Sequence, residues 1–497
     1  MAQNLINDSL SAKNDSIFIK SGSANLPFIG KRILLFAISI CFSLTLNAQV
    51  SKSLNVTAGS LSSALTATEL ETVTNLILTG TMDARDFKTM RDLMPALAVL
   101  DLSGGTIVVY NGTGGTKPFS SSNNYPANVI PDCAFSNQDI HQSKTSLVTV
   151  VIPSSATSIG NSAFGSCTGL TTITLPSSLT SIGNDAFSFC SGLTSMTLPS
   201  SVKSIGGYAF YSCSRLTSIT IPPSVTTIGS SAFYYCMKLT SITIPHSVTS
   251  IGANAFEGCS GLTTVMIPSS LSSIGESAFD ECSGLTTVTI PSSVTSIGNH
   301  AFRSCSGLTS VSIPYSVTSI GDGAFQFCSG LKTITIPTSV FSIGYNAFMR
   351  CSGLTEIIAA NPIPINFLPF ASVFDGINKA TCTLYVPVGS KLSYQAANGW
   401  KDFTHIVEKD FTGIDPISNE KQLTAYPNPT LGRVKLILDQ IPQNGTYLTI
   451  TDVTGRMILK QLMLNKEELI DLQGNSPGVY FIKTSLKNSK VQKVILK

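Results

Sequence analysis

Prolines stand at positions 153, 176, 199, 222, 245, 268, 291, 314 and 337, and cysteines at 167, 190, 213, 236, 259, 282, 305, 328 and 351. Both series advance by 23 residues, so nine copies of one unit follow each other in strict register. One copy, from Pro176 to Leu198, runs PSSLTSIGNDAFSFCSGLTSMTL. A period of this size marks an array of supersecondary units, each too small to bury its own apolar side without a neighbour. The chain is therefore constrained to a stack of coils held together by contacts between adjacent copies.

Each unit changes period partway through. Ala186, Phe187, Cys190 and Leu193 lie at i, i+1, i+4 and i+7, the spacing of a short helical stripe. Leu193, Met196 and Leu198 then follow an L-x-x-L-x-L spacing that ends in the two-residue alternation of a strand. Pro199 has no N–H and stops that strand. Gly183 is expected to relax the backbone where the coil turns into its helical part. The expected fold is a β-rich α/β solenoid of 23-residue leucine-rich coils, each a strand plus a short helix, followed by a small C-terminal β-sandwich.

The recurrent I-P-x-S-V-T-S-I-G-x-x-A-F-x-x-C-x-x-L pattern, between Leu147 and Leu354, resembles the BspA-like leucine-rich repeat family. That family occurs in bacterial surface proteins and in some parasitic protists, and the resemblance implies an adhesin-like or ligand-binding role. An imperfect earlier unit, Val129 to Phe135, starts the array before its regular copies. Solenoid ends need caps. At the first end, Leu61 to Val73 and Asp83 to Met94 read as helices, and Asn75 to Thr79 and Leu97 to Leu102 as strands. At the other, Thr383 to Pro387 reads as a last strand and Lys391 to Trp400 as a helix, with Trp400, Phe403 and Ile406 placed to cover the final coil. Trp400 as a sugar-stacking platform is the alternative.

Composition changes near the C-terminus. Tyr426, Pro427, Asn428 and Pro429 open a segment that continues with a D-x-x-G-R turn (Asp452, Gly455, Arg456) and a G-x-Y strand (Gly478, Tyr480). These motifs resemble the type A sorting domain of type IX secretion substrates. The resemblance implies export across the outer membrane of a diderm bacterium, contact with the secretion machinery, and attachment to the cell surface or release. At the N-terminus, Lys31 and Arg32 precede an apolar run from Ile33 to Leu46, then Asn47, Ala48 and Gln49. That is the layout of a signal peptide, and the run falls short of the roughly 20 apolar residues of a spanning helix. No transmembrane helix is expected in the mature chain. The resulting division is 1–48 extension and signal peptide, 49–146 N-terminal cap and irregular repeats, and 147–356 regular repeats. A C-terminal cap at 357–407, a linker at 408–424 and the sorting domain at 425–497 complete it.

Only 12% of residues are charged and the net charge is +3, so no concentrated basic face for nucleic acid is expected. No metalloprotease, nucleophile-elbow or phosphate-loop motif is present. Ser200 and Lys203 match S-x-x-K, but Lys203 fills a slot that holds Ser or Thr in sister coils. Glu276, Asp280 and Glu281 have no partner constellation, and His246 and His300 occupy slots that are polar elsewhere. No enzyme activity and no cofactor or metal is expected. The repeat cysteines share the inward stripe, so buried free thiols are expected over disulfides, which parallel Cβ vectors disfavour.

Two faces remain for a protein or glycan ligand. On the strand face, Thr174, Thr197, Thr220, Thr243, Met266, Thr289, Ser312 and Thr335 form one outward column. The residues two before them, Thr172 through Thr333, form a second column of hydroxyls. Variable slots flanking each Ala-Phe pair make the other face, with Tyr208, Tyr211, Tyr234, Tyr235, Glu257, Asp280, Glu281 and Arg303. Thr is also simply a good strand residue, and variable slots are also what lack of constraint produces. A ligand-binding scaffold, a structural surface-layer spacer and an ice-binding Thr array are the readings in play; Met266 counts against the last.

Overall fold

The computed structural model describes residues 49–117, 124–137, 142–411, 423–426, 430, 432–438, 447–452, 456–463, 465, 467–485 and 492–496. The signal-peptide segment, His141 and most of the expected linker lie outside the described residues.

Each regular coil contributes two short strands. The three-residue strands pair in parallel with their counterparts one coil away: Thr149 faces Thr172, Thr264 faces Thr287 and Ser310 faces Thr333. The two-residue strands do the same, Ser158 facing Ser181 and Ile159 facing Ile182. Inward residues of both strands, with the Ala, Phe, Cys and Leu of the stripe, form one continuous core from Val56 to Ile406. The phenylalanines stack ring on ring, Phe233 on Phe256 at 5.3 Å and Phe256 on Phe279 at 5.5 Å.

The short helix expected in each coil is a succession of turns. Its N–H groups do not reach back four residues. Those of Ser162, Phe164 and Ser166 donate to Asn184, Ala186 and Ser188 carbonyls of the next coil, at 2.8, 2.8 and 2.6 Å. A third inter-coil ladder thus replaces helix bonds, while the inward stripe stays the same. Its geometry places Ser162, Asp185, Tyr208, Ser166, Phe189 and Tyr235 at φ between 51° and 57°, in the left-handed region that side chains disfavour. The inter-coil bonds hold them there.

Gly183 does not have a positive φ. A Cβ at that position would lie 2.8 Å from the Gly160 carbonyl carbon and 2.9 Å from the Asn161 nitrogen. The glycine therefore permits close approach of successive coils, rather than a special turn.

Both ends are closed by irregular structure. Strands Ser51–Val56, Asn75–Met82 and Val99–Ile107 extend the main sheet in parallel register. The first expected helix is two, Leu61–Ala64 and Ala67–Thr72, broken at Leu65; Thr66 caps the second through a reciprocal bond pair with Glu69. The next helix is Ala84–Asp92, capped by Asp83. From it Arg91 reaches the open carbonyl end of the turn ladder, donating to the Cys133, Thr116 and Ser136 oxygens at 2.8, 2.8 and 3.3 Å. At the opposite end the N–H groups of Asn346, Phe348 and Arg350 donate to Ala371, Val373 and Asp375. Trp400 is 1% exposed, 4.8 Å from the Phe374 ring, and donates to the Ile365 carbonyl at 2.8 Å. It is cap core, which removes the sugar-stacking platform. One further strand, His405–Lys409, pairs with Thr383–Pro387, so the sheet continues into the segment expected as linker.

The C-terminal region forms two antiparallel sheets. Leu423–Tyr426, Arg433–Leu438 and Glu467–Asp471 make one; Tyr447–Asp452, Met457–Leu462, Gly478–Thr484 and Gln492–Leu496 make the other. They enclose a separate core that includes Val434, Leu436, Leu448, Ile450 and Ile482.

Candidate functional site

On the strand face, Thr174, Thr197, Thr220, Thr243, Thr289 and Ser312 are exposed, Thr335 is half-buried, and Met266 stands out at 71% exposure. The second column, including Ser195, Ser218, Thr264 and Thr333, is exposed beside it. Among the described residues no hydroxyl of either column makes a hydrogen bond within the protein. Neighbouring columns behave differently. Thr309 and Thr355 donate to carbonyls of the preceding coil at 3.2 and 3.3 Å, and Ser247 donates to the Val225 carbonyl at 2.6 Å. Hydroxyls that complete backbone bonding are thus distinct from those presented to solvent.

The turn face gathers its variable residues into one network. Tyr211 and Tyr234 stack at 4.9 Å, Tyr234 lies 4.6 Å from Tyr235, and Tyr208 lies 5.6 Å from Tyr211. Phe189, 48% exposed, meets Tyr211 edge-on at 5.0 Å. The Tyr235 hydroxyl donates to Glu281 at 2.8 Å, which raises its pKa, and burial beside Glu257 pushes the Tyr234 phenol up to about 12. Asp280 is 1% exposed and accepts from Arg303 Nε at 2.8 and 3.0 Å; burial raises its pKa against the pull of that guanidinium. These side chains largely satisfy one another.

The repeat cysteines are free and buried, each thiol placed to donate to the Phe carbonyl of the preceding coil, as Cys259 does to Phe233 at 3.2 Å. Desolvation pushes Cys213, Cys259 and Cys351 up to about 12 and Cys236, Cys282 and Cys305 further above their ordinary value. Such buried, protonated thiols are poor nucleophiles at neutral pH. Among the described residues no group of three His, Cys, Asp or Glu side chains could hold a metal ion, and no helix is long and apolar enough to cross a membrane. Ser200, Lys203, His246 and His405 are exposed.

In the C-terminal sandwich, Arg456 turns back on Asp452, its Nε 3.0 Å from the carboxylate, closing the D-x-x-G-R turn. Tyr480 is buried and its hydroxyl donates to the Ser476 carbonyl at 2.6 Å; Gly478 begins the same strand. Tyr426 ends the strand Leu423–Tyr426. Pro427, Asn428, Pro429 and Gly455 lie outside the described residues.

One feature escapes sequence reasoning. At the C-terminal end of the strand face, Tyr315 and Phe411 wall a hollow of about 270 Å³ beside Ser312 and Thr335. Tyr315 follows the repeat proline where most sister coils carry Ser, and that departure is a readable signal. Phe411 is a lone aromatic in polar sequence and gives none.

Residues 128–263 and 226–355 match the model of the BspA type leucine rich repeat region, with six copies, and residues 424–497 match that of a secretion system C-terminal sorting domain. No curated protein matches the chain. Among solved structures, a leucine-rich repeat protein from Bacteroides ovatus is 23% identical, with 63% of this chain and 87% of that one covered and a TM-score of 0.41. The leucine rich repeat protein of T. pallidum is 30% identical over 32% of this chain and 78% of that one, with a TM-score of 0.31. A leucine rich cell surface protein of Faecalibacterium prausnitzii is 29% identical over 57% and 89%, with a TM-score of 0.34.

Proposed function

We propose that this chain, a BspA-type leucine-rich-repeat protein carrying a type IX secretion sorting domain and therefore secreted or displayed at the cell surface, is a ligand-binding scaffold of adhesin type. The observation that carries this reading is the strand face. Two columns of hydroxyls, unengaged within the described protein, stand on short strands that each pair in parallel with at least one neighbouring coil. A desolvated hydroxyl without a partner is costly, so such a face favours a ligand that supplies hydrogen bonds over its length. Its ligand is an extracellular protein or glycan. Met266 interrupts the hydroxyl column and disfavours an ice-binding array.

In this reading 49–146 and 357–407 cap the regular coils at 147–356. The domain at 425–497, reached through 408–424, serves the secretion machinery, with Asp452, Arg456, Gly478 and Tyr480 shaping the surface that it meets. The matched families are repeat and sorting modules, and no step of catalysis enters the proposal. The test is an array of extracellular-matrix proteins and glycans probed with the full chain. Saturable binding that falls when Thr197, Thr220 and Thr243 are replaced together by Lys is expected. Absence of saturable binding to any probe would leave a surface spacer instead.

A further inference from the structure

The hollow at the C-terminal end of the strand face has a composition that selects a ligand class. Ser310, Ser312, Thr333 and Thr335 supply four hydroxyls on one side, none of them hydrogen-bonded within the described protein. Tyr315 and Phe411 are the aromatic residues of its lining. Where the outer hydroxyl column would continue, Ile358 follows Thr335 and makes that end apolar. No lining side chain carries a formal charge.

Phe411 arrives from an unexpected direction. The strand before it, His405–Lys409, is the last of the sheet, beyond Thr383–Pro387, Glu356–Ala359 and Thr333–Ile336. Phe411, two residues past that strand, lines the same hollow as Ser310 and Tyr315. The hollow is a partly open recess on the strand face.

We propose that this hollow is a subsite for one ring of a neutral glycan. This rests on the reading of the strand face as a ligand-binding surface and names the ligand class at its C-terminal end. A pyranose ring offers C–H faces to aromatic rings and a rim of hydroxyls that both donate and accept. Ser and Thr hydroxyls also do both. An apolar ligand would bury the four hydroxyls without partners. A charged ligand would lose hydration with no countercharge to meet it. An extended peptide recognised by strand addition needs a free sheet edge, whereas Ser310 to Val311 is already paired with Thr333 to Ile334. At about 270 Å³ the space lies just below the range of pockets that take drug-sized ligands, and so suits one sugar ring rather than several.

The experiment is calorimetric titration of the full chain with three probes: maltohexaose, cellohexaose and the charged trigalacturonate. Saturable binding of at least one neutral oligosaccharide is expected, with trigalacturonate weaker. Phe411→Ala and Tyr315→Ser should each weaken it about ten-fold, the usual scale for truncating an aromatic anchor. Tyr315→Ser restores the residue of sister coils, so its fold is secure. Lys203→Ala, an exposed side chain outside both candidate faces and five coils from Tyr315, should leave affinity unchanged. Equal affinity in the Phe411 and Tyr315 variants would overturn the subsite while leaving a glycan-binding face elsewhere. Binding of trigalacturonate over both neutral probes would overturn the ligand class. No oligosaccharide binding, with saturable capture of a matrix protein, would overturn the subsite and spare the scaffold reading. No binding of any kind would overturn both.

Discussion

In the regular coils, the turn ladder and runs of paired strands join one copy to the next, and each phenylalanine ring meets another. At the two ends there is no next copy, and single residues take its place: Arg91 on the carbonyls of Thr116, Cys133 and Ser136, Trp400 over Phe374. A coil in the middle needs little of its own beyond the shared pattern. An end needs residues chosen for that end alone. The same distinction governs electrostatics, because a burial effect repeated in every coil multiplies, whereas one at a cap does not.

The largest expected effect tests that multiplication. Burial raises the repeat thiols' pKa values, those of Cys213, Cys259 and Cys351 from 9.0 to about 12, while the unfolded chain releases those protons near the ordinary value. Above about pH 9 the folded state therefore holds more protons than the unfolded one, and stability falls as pH rises towards 12. At the N-terminal end Lys144, buried against the Met94 carbonyl, has its pKa lowered to about 8, which makes stability rise with pH between there and 10.5. Nine thiols oppose one amine. Denaturant midpoints followed through the alkaline range should fall steeply, and replacing Cys236, Cys259 and Cys282 by Ala should make the fall shallower. A midpoint that climbs above pH 9 would show that the ends, not the coils, set the alkaline response.

A smaller and more local effect is expected at Arg91. Arg91→Met removes the donor that the Thr116 and Cys133 carbonyls share at the N-terminal end, a loss of about 2–3 kcal/mol. Because coils contact only their neighbours, amide exchange should rise at Cys133 and Phe135 and stay unchanged near Phe256. A uniform rise along the stack would erase the difference between middle and end.

What was legible in the sequence follows the same line. Repetition revealed Ala186, Phe187, Cys190 and Leu193 as core and Thr197 as outward, since nine copies report the same position. It could not distinguish a helix from a run of turns, because both bury that stripe; the choice lies in whether Phe164 donates within its coil or to Ala186 of the next. Gly183 was legible as necessary but not why, since its crowding comes from Gly160 one coil away. Arg91, Phe411 and Trp400 occur once each, so no period marks them. Trp400 drew notice through rarity alone. The candidate site divides likewise: its hydroxyl columns are periodic and visible, whereas Phe411 reaches the lining only from beyond the last strand, which no local pattern announces.

The smallest effect separates two kinds of hydroxyl four residues apart. Ser247 donates to the Val225 carbonyl at 2.6 Å, completing a backbone group that the ladder leaves open. Ser247→Ala should cost about 1 kcal/mol. Thr243, four residues earlier on the strand face, has no partner within the described protein. Thr243→Val keeps the β-branched shape and should change stability by less than about 0.5 kcal/mol. Paired chemical-denaturation curves measure both. Equal losses would mean that the strand-face hydroxyls are part of the folding pattern and their regularity needs no ligand. A loss at Ser247 alone leaves that regularity unexplained by stability, which is the condition under which a binding face is the better account.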